Sequence, residues 1–195
     1  MLEYVDIPEY GISLPRITSL IGLFTDYKMV NEYAPKSDKA AREGTMIHDS
    51  INSINNGKKY SAGEWYSLPE AVRNAVKGYL LWQRDVSFKP KMSEVTVYSL
   101  KYGIGGHVDC VGLARGYAVL ADWKSGDIHN DRVKMQLAAY GTCYLEMFPR
   151  RKIGGFMAVH IDKQKVSYEY YVMPPDEANT HFQKFIQMKR EVGIL

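Results

Sequence analysis

Residues 104–124 read IGGHVDCVGLARGYAVLADWK. Short apolar runs on either side of the triplet Ala114-Arg115-Gly116 are strand signals, with the triplet as a tight turn between them. The expected strands are Tyr102–Leu113 and Gly116–Lys124, side by side and antiparallel. Side chains two apart on a strand share a face, so Asp122 and Lys124 project together. Asp109 lies thirteen residues before Asp122. With the turn near Arg115, the two carboxylates fall next to each other. Such a pair repels unless something positive lies between them. A hard divalent cation, which takes oxygen ligands, suits the place. A lysine there can neutralise one aspartate, which is the commoner meaning of so short a motif. Beside a metal it can also orient or deprotonate water and steady charge on a phosphate.

Outward from this hairpin the pattern alternates between periods. Upstream, Glu94–Ser99 is rich in Val, Thr and Tyr and reads as another strand. Two helices precede it. One starts at Ser37 or Asp38, carries Ile47, Ile51 and Ile54 at helical spacing, and ends at Asn55-Asn56-Gly57. The other runs from Leu68 to Asp85 with Val72, Ala75, Val76, Tyr79 and Leu80 as its apolar stripe. Residues 1–35 hold Pro8, Pro15 and Pro35 and read as irregular, with a short helix over Thr18–Tyr27. Downstream, Asn130 caps a helix over Asp131–Phe148 whose buried side is Val133, Leu137, Tyr144 and Leu145, with Tyr140 at its edge. Strands Ile153–Ile161 and Val166–Met173 follow, the latter as an edge strand, and Pro174-Pro175 opens a last helix through Glu191. The order predicts a mixed α/β fold, a central mixed sheet of about five strands flanked by helices. At 195 residues the chain is expected to form a single domain, with 174–195 as a C-terminal helix.

Composition narrows the function classes. Hydrophobic residues make up 46% and charged residues 24%, which argues against disorder. The net charge is +3, compatible with an anionic partner. Two cysteines, Cys110 and Cys143, are too few for a disulfide framework or a four-cysteine cluster. No apolar run reaches the roughly 18 residues that a membrane span needs. Glu3, Asp6 and Glu9 stand where a secretory signal carries positive charge. The expectation is a cytoplasmic protein, in a host cell's cytoplasm if phage-encoded, that is not secreted and has no membrane partner.

Further polar residues fall into register with the hairpin. Arg42, Thr45 and His48 are successive i,i+3 neighbours on the first long helix. His48 can add a nitrogen ligand, although a lone histidine is more often a hydrogen-bonded core residue. Arg42 and Thr45 can grip a phosphate, or simply form a solvated face. Gln136 and Tyr140, i and i+4 on the helix after Lys124, face one way and can hold a nucleic-acid backbone or base, or pack at a boundary. That helix's N-terminus, with Arg132 and Lys134, attracts phosphate. Glu94 is a further carboxylate for the site, or else an exposed strand charge.

Taken together, R-x-G-T-x-x-H (Arg42 to His48), Glu94, G-x-x-D (Gly106 to Asp109), D-x-K-S-G (Asp122 to Gly126) and Q-x-x-x-Y (Gln136 to Tyr140) resemble the PD-(D/E)xK nuclease superfamily, in its RecB-like exonuclease branch. The segment Leu14–Leu20 also looks like one common before the first helix of small phage members. The resemblance spans about Leu14 to Val172. Val108 stands where the superfamily's name has proline and Asp122 where many members have glutamate; both variants are common. The resemblance implies a restriction-endonuclease-like core and hydrolysis of nucleic-acid phosphodiesters with Mg²⁺ or Mn²⁺. His48, Asp109 and Asp122 match metal ligands, with the Trp123 carbonyl as another. Lys124 matches the catalytic lysine, Glu94 a strand acid of varying role, and Gln136 and Tyr140 the substrate motif. Members with an iron–sulfur cluster carry four cysteines; here no such cluster is expected. No G-x-x-x-x-G-K-[ST] motor segment appears, so a stand-alone DNA exonuclease is expected, acting on single-stranded or frayed ends and able to serve a recombination or replication protein. The rivals are a DNA-binding module with reduced catalysis and a metal-dependent RNA endonuclease.

Overall fold

The computed structural model describes residues 2–28 and 38–194. Pro35 and the Ser37 cap lie outside the described residues. The chain runs β1 (Tyr4–Ile7), β2 (Ile12–Pro15), α1 (Ile17–Lys28), α2 (Asp38–Asn55), α3 (Ala62–Ser67), α4 (Glu70–Asp85), β3 (Lys89–Ser99), β4 (Ile104–Ala114), β5 (Tyr117–Lys124), α5 (Asp131–Met147), β6 (Gly155–Ile161), β7 (Tyr168–Met173) and α6 (Pro175–Glu191). A five-stranded mixed sheet has the order β3-β4-β5-β6-β7, antiparallel except for β5 and β6. That parallel pair requires a crossover, and α5 supplies it. β7 is an edge strand, as its Tyr-rich pattern predicts.

The sheet carries a core on each face. On one face α1, α5 and α6 pack over Val97, Val108 and Leu120. On the other, α2 and α4 bring Ile47, Ile51, Val76 and Tyr79 against Ala121, Trp123 and Val159. Four rings (Tyr79, Trp82, Phe88 and Trp123) interlock there, with Trp82 and Trp123 centroids 5.3 Å apart in an edge-on arrangement. This cluster anchors the residue between Asp122 and Lys124. No helix among the described residues is long and apolar enough to cross a membrane.

The structure corrects several local expectations. Residues 2–28 are not irregular: Tyr4–Ile7 and Ile12–Pro15 form a hairpin around a 3-10 turn at Pro8–Tyr10, closed by Gly11 at φ +63°. Its prolines sit at a turn and a strand end, where they are tolerated. Val5 packs directly on Gly105 of β4. A further helix, α3, stands between the two expected upstream helices, opened by a capping box between Ser61 and Glu64. β3 begins at Lys89 rather than Glu94, with a bulge between Pro90 and Met92 that lets a proline enter an edge strand. Leu80 is 40% exposed and lies off the buried stripe.

Candidate metal centre

β4 and β5 pair from Ala114↔Tyr117 as far as Cys110↔Ala121, and there the ladder stops. One register step further, Asp109 stands opposite Asp122. The Trp123 N–H, which has lost its ladder partner, donates instead to Asp109 Oδ2 at 2.7 Å. The carboxylate thus fills the gap that the parting strands open, satisfying a buried donor. Side-chain alternation also breaks here. Val108 and Val111 both enter the first core while Cys110 enters the second. Directly across on β3, Glu94 lies between the pairs Ser93↔Cys110 and Val95↔Val108. Glu94 has φ +51°. A left-handed residue inside a strand costs roughly 1–2 kcal/mol, and strain of this kind concentrates at functional sites.

α2 brings the third group. Ile47 and Ile51 are buried against the aromatic cluster, which fixes the helix's rotation and directs His48 at the sheet. His48 Nδ1 lies 3.1 Å from Asp109 Oδ1. One ligand atom from each of His48, Glu94 and Asp109 lies within 4.8 Å of the other two. One nitrogen and two carboxylate oxygens at this spacing match the donors of a divalent cation. This trio contains Glu94 in place of Asp122.

Asp122 belongs to an adjoining network. It is 3% exposed, and its Oδ1 accepts from Gln136 Nε2 at 3.2 Å. Its Oδ2 meets the Lys124 ammonium as an ion pair rather than as an aligned hydrogen bond. Lys124 Nζ donates to Gln136 Oε1 at 3.0 Å. One amide therefore joins both ends of the D-x-K motif. Tyr140 lies one turn on, fully buried, with its ring against Gly106; a Cβ at 106 would sit 2.6 Å from Tyr140 Cε1. The glycine of G-x-x-D and the tyrosine of Q-x-x-x-Y thus need each other.

The field of the pocket is negative. Burial raises the Glu94 carboxyl, with Asp109 adding to it. Burial pushes Asp122 up to about 6 from 3.8 even though Lys124 opposes it, and Asp109 adds to the rise. Burial works against the His48 imidazolium, yet Asp109 and then Asp122 outweigh it and the pKa is raised. Burial also holds the Tyr140 phenol well above its ordinary value, with Asp122 the next cause. All of these groups are driven toward their protonated forms, the acids and the phenol by burial first and His48 by the carboxylates around it.

Other expected residues stand apart from the cluster. Arg42 and Thr45 are exposed on α2, two turns and one turn before His48. The Thr45 hydroxyl donates to Ala41 O at 3.3 Å. Trp123 is 3% exposed, its ring held in the aromatic cluster. Asn130 caps α5 as expected, accepting from Val133 N–H at 3.0 Å. Lys134 lies 3.5 Å from Glu177 on α6 rather than free at the helix mouth. Cys110 and Cys143 are free and lie in opposite cores. A groove of about 480 Å³ opens beside Lys124, lined by Thr18, Ser125, Asn130, Arg132 and Gln136 among others. Sequence reasoning missed Asp49, which adds negative potential at Glu94 from the turn that carries His48. Its signal was plain, since it follows His48 directly.

No family model matches this chain, and no curated protein matches it. Among solved structures, one titled "Crystal structure of SSO0001" is similar, at 14% identity over 88% of this chain and 82% of that one, with a TM-score of 0.35.

Proposed function

We propose that this protein is a divalent-metal-dependent nuclease that hydrolyses phosphodiester bonds of DNA, at single-stranded or frayed ends. The observation that carries the reading is the convergence of His48, Glu94 and Asp109 within 4.8 Å, directly against the Asp122–Lys124–Gln136 network. Acids and a lysine on parting strands beneath a histidine from a helix are what the resemblance to RecB-like nucleases implies, and the α–β–β–β–α–β order around them supports the reading.

The donor set fits Mg²⁺ or Mn²⁺, and the nitrogen ligand tilts it toward Mn²⁺. When bound, such an ion lowers the pKa of a coordinated water and offsets charge on phosphoryl oxygens. His48, Glu94 and Asp109 would hold it, and the resemblance adds Asp122 and the Trp123 carbonyl to the ligands. Lys124 is 23% exposed at its side chain, so its ammonium can meet a water or a phosphate oxygen from the groove. Gln136 keeps Lys124 and Asp122 at a fixed separation, acting as a positioning residue. The start of α5, with Arg132 at the groove, favours a phosphate there. The reading carries a cytoplasmic setting and DNA as partner.

Digestion of 5′- and 3′-labelled single and double strands with Mg²⁺, Mn²⁺ or EDTA tests it. Shortened product that needs metal is expected. Lys124→Ala and Asp122→Asn should each reduce the rate on the order of 100-fold or more while remaining folded. Full activity in either variant removes the assignment. DNA binding without cleavage under any metal indicates a binding module, and cleavage of RNA alone indicates a ribonuclease.

A further inference from the structure

At the other end of the sheet lies a second concave surface, unconnected with the metal centre. It has a volume of about 250 Å³, with walls of Val86, Tyr117, Tyr170 and Val172 and with Gly155 at its base. Val119 lines it too, three residues before Asp122 and five before Lys124 on β5; at the rise of a strand this places it about 10 Å from the first and about 16 Å from the second. Tyr117 is 73% exposed, Val172 43% and Tyr170 37%. Gly155 keeps the hollow open, because a Cβ there would sit 3.0 Å from Val172 Cγ1.

Charge decides what this hollow accepts. No acidic residue lines it, and Arg115 stands at its rim. Arg150, Arg151 and Lys152 are exposed on the loop that leads directly into the lining residues Gly154 and Gly155. None of these four cations makes an ion pair among the described residues, and with no acidic residue in the lining the charge at this surface is uniformly positive. Unpaired cations around an apolar hollow complement carboxylates around an apolar side chain. A nucleic-acid backbone would want a row of cations along a polar groove, and this lining is largely aliphatic and aromatic.

We propose that this surface docks an acidic peptide segment of a partner protein, with an aromatic or large aliphatic side chain seated between Tyr117, Tyr170 and Val172 and flanking carboxylates against Arg115 and the 150–152 loop. The partner is held about 10 Å along β5 from Asp122, so binding leaves hydrolysis unobstructed. This inference does not depend on the proposed nuclease activity.

The test is fluorescence anisotropy of a labelled nine-residue peptide of aspartates ending in Phe, titrated with the full-length protein in EDTA. Saturable binding that weakens with salt is expected. Replacing Phe by Ala, or the aspartates by Asn, should weaken it about tenfold or more. On the protein, Arg115→Asp reverses the charge at a position of φ +49°, where aspartate is tolerated. It and Arg150→Glu/Arg151→Glu should each weaken binding by about tenfold, with unfolding temperatures unchanged. Val172→Glu should abolish binding by placing a carboxylate in the hollow, and Asp122→Asn should leave it intact. Absent peptide binding overturns the proposal, as does binding indifferent to these substitutions. So does an arm with a labelled oligonucleotide in which the same substitutions weaken DNA binding and the peptide does not compete.

Discussion

Asp122 carries a conflict that a bound cation would relieve. In the metal-free protein its folded pKa lies near 6, above the 3.8 of an unfolded chain, because burial outweighs the Lys124 ammonium. Between those values the folded state holds more protons than the unfolded one, so stability falls as pH rises through the window. Asp122→Asn lacks this titration. In EDTA, its stability relative to the parent should therefore improve between pH 4 and pH 7, by on the order of 3 kcal/mol. Urea unfolding at both pH values checks this; a constant difference would place the conflict elsewhere. Asp109 poses a different question, since one oxygen accepts the Trp123 N–H and the other faces His48. Asp109→Ala leaves a buried N–H without an acceptor and should cost about 1–3 kcal/mol. Asp109→Asn retains a carbonyl for that N–H, so it should keep most of the stability and still lose metal response. Equal unfolding midpoints for the two variants would show that the strand gap needs no plug.

At the scale of elements, the site depends on β4 and β5 parting and on α5 closing over the gap. Gly106 is the contact point, since any side chain there meets the Tyr140 ring. Gly106→Ala should destabilise by about 1–3 kcal/mol through overpacking. It should also slow cleavage, because Tyr140 cannot move without disturbing Gln136 one turn away. The Tyr140→Leu/Gly106→Ala double variant should recover part of the lost stability, since residues in contact do not add. A denaturant series on the four proteins settles it, and strict additivity would separate the two residues. The hairpin β1–β2 works at the same scale: Val5 covers Gly105 of β4, and Arg16 bridges to that residue's backbone. It buttresses β4 beyond the point where β5 departs.

For the whole molecule, metal binding should appear as stability. Any ligand that binds only the folded state raises the unfolding temperature with its concentration. Mn²⁺ should therefore raise the melting temperature of the parent in a saturable way, and more at pH 7 than at pH 5, where protons compete for His48, Glu94 and Asp122. His48→Ala and Glu94→Gln should remove most of the shift. A shift equal in all three proteins would locate the ion elsewhere. The aromatic cluster of Tyr79, Trp82, Phe88 and Trp123 lies under this response, tying α4 to the strand that carries the lysine.

Short-range chemistry was enough for the order of elements from α4 to α6 and for the pairing of Asp122 with Lys124. Apolar periodicity, the Asn130 cap and the turn at Arg115–Gly116 act over a few residues, and they read directly from the chain. Prolines at positions 8 and 15 hid the alternation of Tyr4–Ile7, although their places at a turn and a strand end were compatible with it. The composition of the donor set was not local. Glu94 joins His48 and Asp109 because a left-handed residue and the β3–β4 register place it opposite Asp109. Gln136 clasps Asp122 and Lys124 because α5 crosses back over the parting strands. Distances of 3–5 Å between residues tens of positions apart are set by register and helix packing, which no stretch of sequence contains by itself.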